Sequence, residues 1–480
     1  MASDASAVAV TVTVTETVAV GIAVTAAAAA ASATATPTGA EAAPSAHGRA
    51  TPVTGEHRST TLASGVRIVT EAMPSVRSVS LGFWIGTGSR GETEAQAGLS
   101  HLLEHLLFKG SARYASLEID QIFDGMGAEI NAGTGKETTS VYARIIDEHV
   151  PRAFDVISDM VFAPALTEID AERAVILEEI AMYEDDPQEK IFDLLGQAVF
   201  AGHPLGRAII GYAPVIAGVS AAEIRRFHAS RYQPENVVIA AAGAVDHDAL
   251  VSLADAALPR DGARGGSAEP PLVIPAPPTP TAGVLFERKE TEQFHLCLGG
   301  PGLSRHDERR FALRVLDTIF GGTSSSRLFQ EVRESRGLAY SVYSFTNAFQ
   351  DSGELGLYLG TRAENLGEAM QVVDAELARM RREPASPDEL ARAKENLKGR
   401  VLLSLESTGA RMSRLGSETL ADAPLLSLDE VVSRIDAVSL ADLEALADEL
   451  WAPERLSVAC IGPDRERFDA ALAVARGVSV

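Results

Sequence analysis

Part of this chain occurs twice, and that constrains its fold more than any other feature. Ile216-Ala217-Gly218-Val219-Ser220-Ala221-Ala222-Glu223 is echoed by Ile435-Asp436-Ala437-Val438-Ser439-Leu440-Ala441-Asp442. Tyr232-Gln233-Pro234-Glu235-Asn236 is echoed by Trp451-Ala452-Pro453-Glu454-Arg455, and Gly243 by Gly462, all at one offset of 219 residues. A constant offset implies two copies of one structural unit. Both copies carry a capping signature, S-x-x-E and S-x-x-D, which predicts a helix start. Strand-like runs at Thr61–Val69 (broken by a Ser64-Gly65 turn) and at Val79–Ile85 (ending in Gly86-Thr87-Gly88) mix with helical periodicity at Val150–Phe162. The unit is therefore α+β.

The 480 residues are too many for one core. Residues 57–265 and 284–480 are expected as the two domains, joined by a semi-rigid proline-rich linker over 266–283. Residues 1–48 are mostly Ala, Val and Thr and are expected as a disordered tail. It has no Lys or Arg before Arg49, so the positive segment of a secretory signal is missing. Cys297 and Cys460 are the only cysteines and read as buried free thiols of a reducing compartment. A cytoplasmic location is expected, with export as a minority alternative. The net charge of −24 argues against nucleic acid or an anionic membrane as partner.

The chemistry is concentrated in Gly98-Leu-Ser-His101-Leu-Leu-Glu104-His105-Leu-Leu-Phe-Lys-Gly110. Its leucines recur at helical spacing and it ends in Gly, so it predicts a helix. His101 and His105 then leave one face a turn apart, the usual spacing of two helical zinc ligands. Glu104 shares that face and is placed as general base for a metal-activated water. H-x-x-E-H is the inverzincin motif.

A third ligand is sought downstream. Glu172-Arg-Ala-Val-Ile-Leu-Glu178-Glu179-Ile180 predicts a helix on which Glu172 and Glu179, seven apart, share a face. Spacing alone favours a solvated acidic stripe there. Ser116 is expected to cap a helix ending at Gly127, and Glu129–Ala132 to pair with Thr138–Ile145. Asp186-Pro187 is expected to start another helix, and His203-Pro204-Leu205-Gly206 to be a loop. In the second copy Leu313–Asp317 stands where His101–His105 would fall, so only the first copy carries the motif. Gly321-Gly322-Thr323-Ser324-Ser325-Ser326 lacks the Lys of a phosphate loop.

Together His101-x-x-Glu104-His105, Glu172 to Glu179, Asp186-Pro187, His203-Pro204-Leu205-Gly206, Ser326-Arg327-Leu328-Phe329 to Arg333 and Gly337-Leu338-Ala339-Tyr340-Ser341 resemble the pitrilysin/insulysin family of zinc metallopeptidases. The likeness is to its short-chain branch, with the mitochondrial processing peptidase β-subunit and bacterial homologues, over about residues 57–470. It implies two homologous α+β domains, each a mainly antiparallel sheet backed by helices, forming half of a clam-shell chamber. It implies one Zn2+ per chain on His101, His105 and Glu179, Glu104 as general base, and Glu172 supporting the site from behind. It further implies Asn131 and Ala132 on a substrate-pairing edge strand, and Arg333 and Tyr340 contacting the scissile region. The expected function is hydrolysis of peptides or unfolded protein segments by a homodimer. The alternative is a non-catalytic partner or scaffold subunit.

Overall fold

The computed structural model describes residues 56–258, 276–277, 282–383 and 385–475. The predicted tail over 1–48 and most of the proline-rich stretch 266–283 lie outside them.

The first sheet holds β1 (His57–Thr61), β2 (Arg67–Ala72), β3 (Ser78–Ile85), β4 (Glu129–Thr134), β5 (Thr139–Ile146) and β6 (Val237–Gly243). The second holds β7 (Val284–Arg288), β8 (Phe294–Gly302), β9 (Ala339–Ala348), β10 (Gly353–Thr361) and β11 (Ser457–Gly462). The spatial orders are β1-β2-β6-β3-β5-β4 and β7-β11-β8-β10-β9. Without β1 the two orders coincide. In each sheet one pair is parallel, β2 with β6 and β7 with β11, and the other pairs are antiparallel.

Helices follow the same duplication. The first unit has α1 (Leu99–Leu107), α2 (Ser116–Met126), α3 (Val150–Phe162), α4 (Ile169–Asp185), α5 (Pro187–Phe200), α6 (Ala213–Gly218), α7 (Ala221–Arg231) and α8 (His247–Ala257). The second has α9 (Arg310–Phe320), α10 (Leu366–Arg382), α11 (Pro387–Ser404), α12 (Thr408–Leu420), α13 (Leu428–Ala437), α14 (Leu440–Leu450) and α15 (Arg465–Ala475). α7 and α14 differ by the offset of 219 at both ends. Ser439 and Asp442 form the full capping box, whereas Ser220 only accepts from the Glu223 N–H. Asp186 caps α5 by accepting from the N–H groups of Gln188 and Glu189.

Two local expectations are corrected. Ser116 does not cap α2: Ala115 holds the cap position, and the Ser116 hydroxyl donates to the Phe108 carbonyl (2.9 Å). His203-Pro204-Leu205-Gly206 is not open loop. Pro204–Gly206 forms a 3-10 turn because His203 Nδ1 accepts the Leu205 N–H (3.2 Å).

Each unit has its own core, and the two units also exchange helices. α5 leaves the first unit and packs on β8 and β11 of the second, with Ile191, Leu195 and Val199 against Cys297, Tyr358 and Ala459. α12 of the second unit packs on β2, β3 and β6 of the first, with Met412 and Leu415 against Trp84 and Val238. The outward residues of β6 include Ala240 and Ala242, whose small side chains let α12 approach. Glu137 adds a polar clasp: it accepts from Arg90 of its own unit (2.6 Å) and from Arg305 of the other (3.1 Å). Cys297 and Cys460 are free and buried. No helix among the described residues is long and apolar enough to cross a membrane.

Gly416 is where α12 touches the indole of Trp84, and a Cβ there would overlap Nε1 and Cδ1 of that ring. Gly416→Val should therefore destabilise the protein by about 1–3 kcal/mol through overpacking. Urea unfolding followed by tryptophan fluorescence measures this, and an unchanged midpoint would show that α12 does not seat as described.

Candidate metal centre

All nine residues of α1 are buried. Leu99, Leu102, Leu103, Leu106 and Leu107 join the first core, and His101, Glu104 and His105 share the remaining face. The start of α1 is fixed by a residue that no sequence motif marks. Glu92 accepts from the main-chain N–H of Gly98 (2.8 Å) and of Ser100 (2.7 Å), capping the positive end of the helix. Its burial pushes the carboxyl up to about 7, against the pull of those N–H groups. Gly98 takes φ 93°, and a Cβ there would meet the Ile210 carbonyl at 2.5 Å.

α4 packs against α1 and brings two carboxylates. Glu179 Oε2 lies 3.9 Å from His101 Nε2 and 3.7 Å from His105 Nε2. Two turns earlier, Glu172 Oε2 lies 3.3 Å from His105 Nδ1, and Glu172 Oε1 lies 2.9 Å from Lys109 Nζ. Glu172 is 5 % exposed, so it is no part of a solvated stripe. Glu178 is exposed to solvent. The carboxylate on Nδ1 fixes the His105 tautomer: Nδ1–H donates and the Nε2 lone pair is free.

Nε2 of His101 and Nε2 of His105 are buried, and neither has a hydrogen-bond partner among the described residues. These two nitrogens and a Glu179 oxygen lie within 4.8 Å of one another. Ligand atoms about 2 Å from a tetrahedral ion sit about 3.4 Å apart. The observed separations fit such an ion with small side-chain adjustments. Two imidazoles and one carboxylate suit Zn2+ and leave a fourth position open.

Electrostatics agree with that use. Burial, helped by the charge of His105, pushes His101 down to about 3, so it is a neutral donor. Burial also opposes charge on His105, but the Glu172 hydrogen bond and the nearby Glu104 and Glu179 carboxylates outweigh it and raise its pKa. Glu172 is lowered: burial works against ionisation, and His105 and Lys109 overcome it. Glu104 is raised by burial, against the hydrogen bond from Thr134. Thr134 Oγ1 donates to Glu104 Oε2 at 2.5 Å. A carboxyl held towards the protonated state accepts a proton readily at neutral pH.

Thr134 belongs to β4, which among the described residues pairs only with β5 and so presents its other edge beside α1. Asn131 and Ala132 lie on this edge strand. Ala132 points into the core, and the Asn131 side chain accepts the Ala132 N–H (2.8 Å). Arg333 and Tyr340 meet each other: Arg333 Nη1 donates to the Tyr340 carbonyl (2.9 Å), and its guanidinium lies 4.4 Å from the ring centroid. Tyr340 is 75 % exposed. Among the described contacts none joins this pair to His101, His105 or Glu179.

The sequence matches the profile of the insulinase family, peptidase family M16, over residues 67–213, and that of the peptidase M16 inactive domain over 218–397. It is 43% identical to an uncharacterized zinc protease of Streptomyces coelicolor over 87% of this chain and 93% of that protein. An uncharacterized zinc protease of Bacillus subtilis is 41% identical over 84% of this chain and 97% of its own. A crystal structure described as a peptidase M16 inactive domain from Pseudomonas fluorescens superposes with a TM-score of 0.78 at 25% identity, covering 85% of this chain and 98% of that one. A protease from Helicobacter pylori shares the fold, with a TM-score of 0.80 at 21% identity over 85% of this chain and 100% of that one.

The two helix faces make a discriminating test. Glu179→Gln should strip or strongly weaken bound zinc, while Glu178→Gln should leave it unchanged. Glu172→Gln should fall between, costing about 10–100-fold in affinity because it only orients His105. Zinc titration of the three variants checks the order, and a larger loss for Glu178 than for Glu179 would reverse the assignment.

Proposed function

The chain belongs to the insulinase family of zinc proteases, peptidase family M16, and from that premise we propose that it is itself a zinc-dependent endopeptidase for peptides or unfolded protein segments. The observation that carries this reading is the pair of buried, unpartnered Nε2 atoms facing Glu179, with Glu104 beside them.

In this reading His101, His105 and Glu179 hold one zinc ion. When bound, it supplies Lewis acidity to a water and to the peptide carbonyl. The remaining work falls to the chain's own groups. Thr134 occupies Glu104 Oε2, which leaves Oε1 to take the proton of the attacking water and return it to the leaving amine. Glu172 and Lys109 hold His105 in one tautomer. The free edge of β4 at Asn131 and Ala132 aligns an extended substrate by main-chain pairing.

Arg333 and Tyr340 complete the site from a second copy of the chain. The exposure of Tyr340, and the pair's lack of described contact with the metal residues of the same chain, support a two-fold dimer in which each metal centre faces the partner's Arg/Tyr pair.

Two experiments test the proposal. Glu104→Gln should keep zinc and lose peptide turnover, because an amide cannot accept the proton at neutral pH. Loss of zinc in this variant would remove Glu104 from its role, and a zinc-loaded wild type without turnover would favour the scaffold alternative. For the dimer, Glu104→Gln and the pair Arg333→Ala with Tyr340→Phe should each be nearly inactive alone. After subunit exchange, half of the dimers are mixed with one intact site of two, so activity should return to roughly a quarter of wild type. A mixture that stays inactive although exchange occurs would place the Arg/Tyr pair in cis.

A further inference from the structure

Between the exchanged helices α5 and α12 the protein contains a cavity of about 240 Å³ lined by residues of both units. It includes none of His101, Glu104, His105 or Glu179. Its wall includes the aromatic rings of Trp84, Phe192, Phe311 and Phe345 beside aliphatic and charged side chains, Asp193 and Glu354 among them, and two cations on α9 face it one turn apart, Arg310 and Arg314.

The charges around this space do not balance. Arg305 is taken by Glu137 (3.1 Å) and Arg414 by Glu71 (3.4 Å). Arg310 donates to the Asp307 carbonyl (3.1 Å), and the nearest carboxylate oxygen, on the largely exposed Glu308, is 3.6 Å away. The Arg314 guanidinium makes no hydrogen bond with any described residue, and the carboxylate it feels is that of Glu418. Glu418 is the carboxylate these four arginines surround; its Oε2 is buried without a hydrogen bond and lies 3.9 Å from Arg414. Burial, with Arg310 next to it, works against the charge on Arg314 and outweighs the pull of Glu418. A desolvated cation without a partner costs stability, and folds keep one where something else satisfies it.

We propose that this cavity binds a small organic carboxylate with an apolar body, its carboxylate on Arg310 and Arg314 and its body against the aromatic wall. A guanidinium pairs with a carboxylate through parallel N–H donors, the geometry that two arginines one turn apart can share. A dry cavity of about 150 Å³ admits benzene, so this one has room for an alkyl chain of roughly ten carbons or an aryl side chain. A ligand there bridges α5 and α12 and ties the two units together. The chemistry is that of a fatty acid or of the free C-terminus of an apolar peptide.

The test titrates the full chain with decanoate below its micellar concentration and, in parallel, with N-acetyl-phenylalanyl-leucine, 1-decanol and inorganic phosphate. Calorimetry, Tm and the fluorescence of Trp84 in a Trp451→Phe background are read. The readouts need neither metal nor peptide cleavage, so this inference and the peptidase reading stand or fall separately. At least one of the two carboxylates should bind saturably at one per chain, raise Tm and perturb Trp84, and the tighter one identifies the source. Decanol and phosphate should bind far more weakly. Arg310→Gln with Arg314→Gln should weaken carboxylate binding by about tenfold or more, since hydrogen bonds to charged groups are lost. Arg314→Gln without ligand should melt no lower than wild type, because it removes a half-buried charge that makes no hydrogen bond. Arg314→Lys keeps the charge without the fork and should bind with intermediate affinity. Absence of saturable binding by both carboxylates, equal affinity in the double variant, or decanol or phosphate binding as tightly would overturn the proposal. So would a clear fall in Tm for unliganded Arg314→Gln, which would give the cation a structural partner.

Discussion

A wholly buried helix cannot carry two imidazoles and a carboxylate unless its neighbours satisfy them, and that constraint organises the first unit. α1 buries its leucine stripe in the core and must answer for His101, Glu104 and His105 on the opposite face. Thr134 on β4 answers for Glu104, and Glu172 on α4 answers for His105 Nδ1. Left without a hydrogen bond are both ring nitrogens of His101 and Nε2 of His105, and the two Nε2 atoms face Glu179. Two imidazole nitrogens without a hydrogen bond and a carboxylate at under 4 Å are the donor set a cation satisfies.

The duplication explains why the rest of the chain exists. An isolated six-stranded sheet would leave one face of Trp84, Val238 and Ala240 to water, and α12 of the second unit covers it. The second sheet is covered in turn by α5. Each copy thus completes the other, and the metal-bearing helix rests on a sheet that is closed on both faces. The second copy has no need of the chemistry: α9 presents Leu313 and Leu316 to its core where α1 carries polar side chains. The two family profiles divide the chain in the same sense, the second being that of an inactive domain.

Much of this could be read from the residues, and the failures share a cause. The H-x-x-E-H string and its leucines define α1 because helical spacing is local, and the offset of 219 registers α7 on α14 for the same reason. Glu172 and Glu179 looked like a solvated stripe because their partners, His105 and Lys109, are more than sixty positions away in sequence. Glu92 was invisible: it caps α1 from a preceding turn, outside any capping box. Ser116 misled because a residue suited to capping found its partner in the Phe108 carbonyl instead. The exchange of α5 and α12 was unreadable in principle, since an apolar stripe shows that a helix packs and not upon which sheet.

The central claim is that one zinc ion sits on His101, His105 and Glu179 with Glu104 outside its coordination. Anomalous diffraction from zinc-loaded crystals, recorded on both sides of the zinc edge, tests it most directly. The account predicts one peak per chain, within about 2.0–2.2 Å of Nε2 of both histidines and of a Glu179 oxygen, with Glu104 beyond that shell. A peak elsewhere, or one bound directly by Glu104, would contradict it.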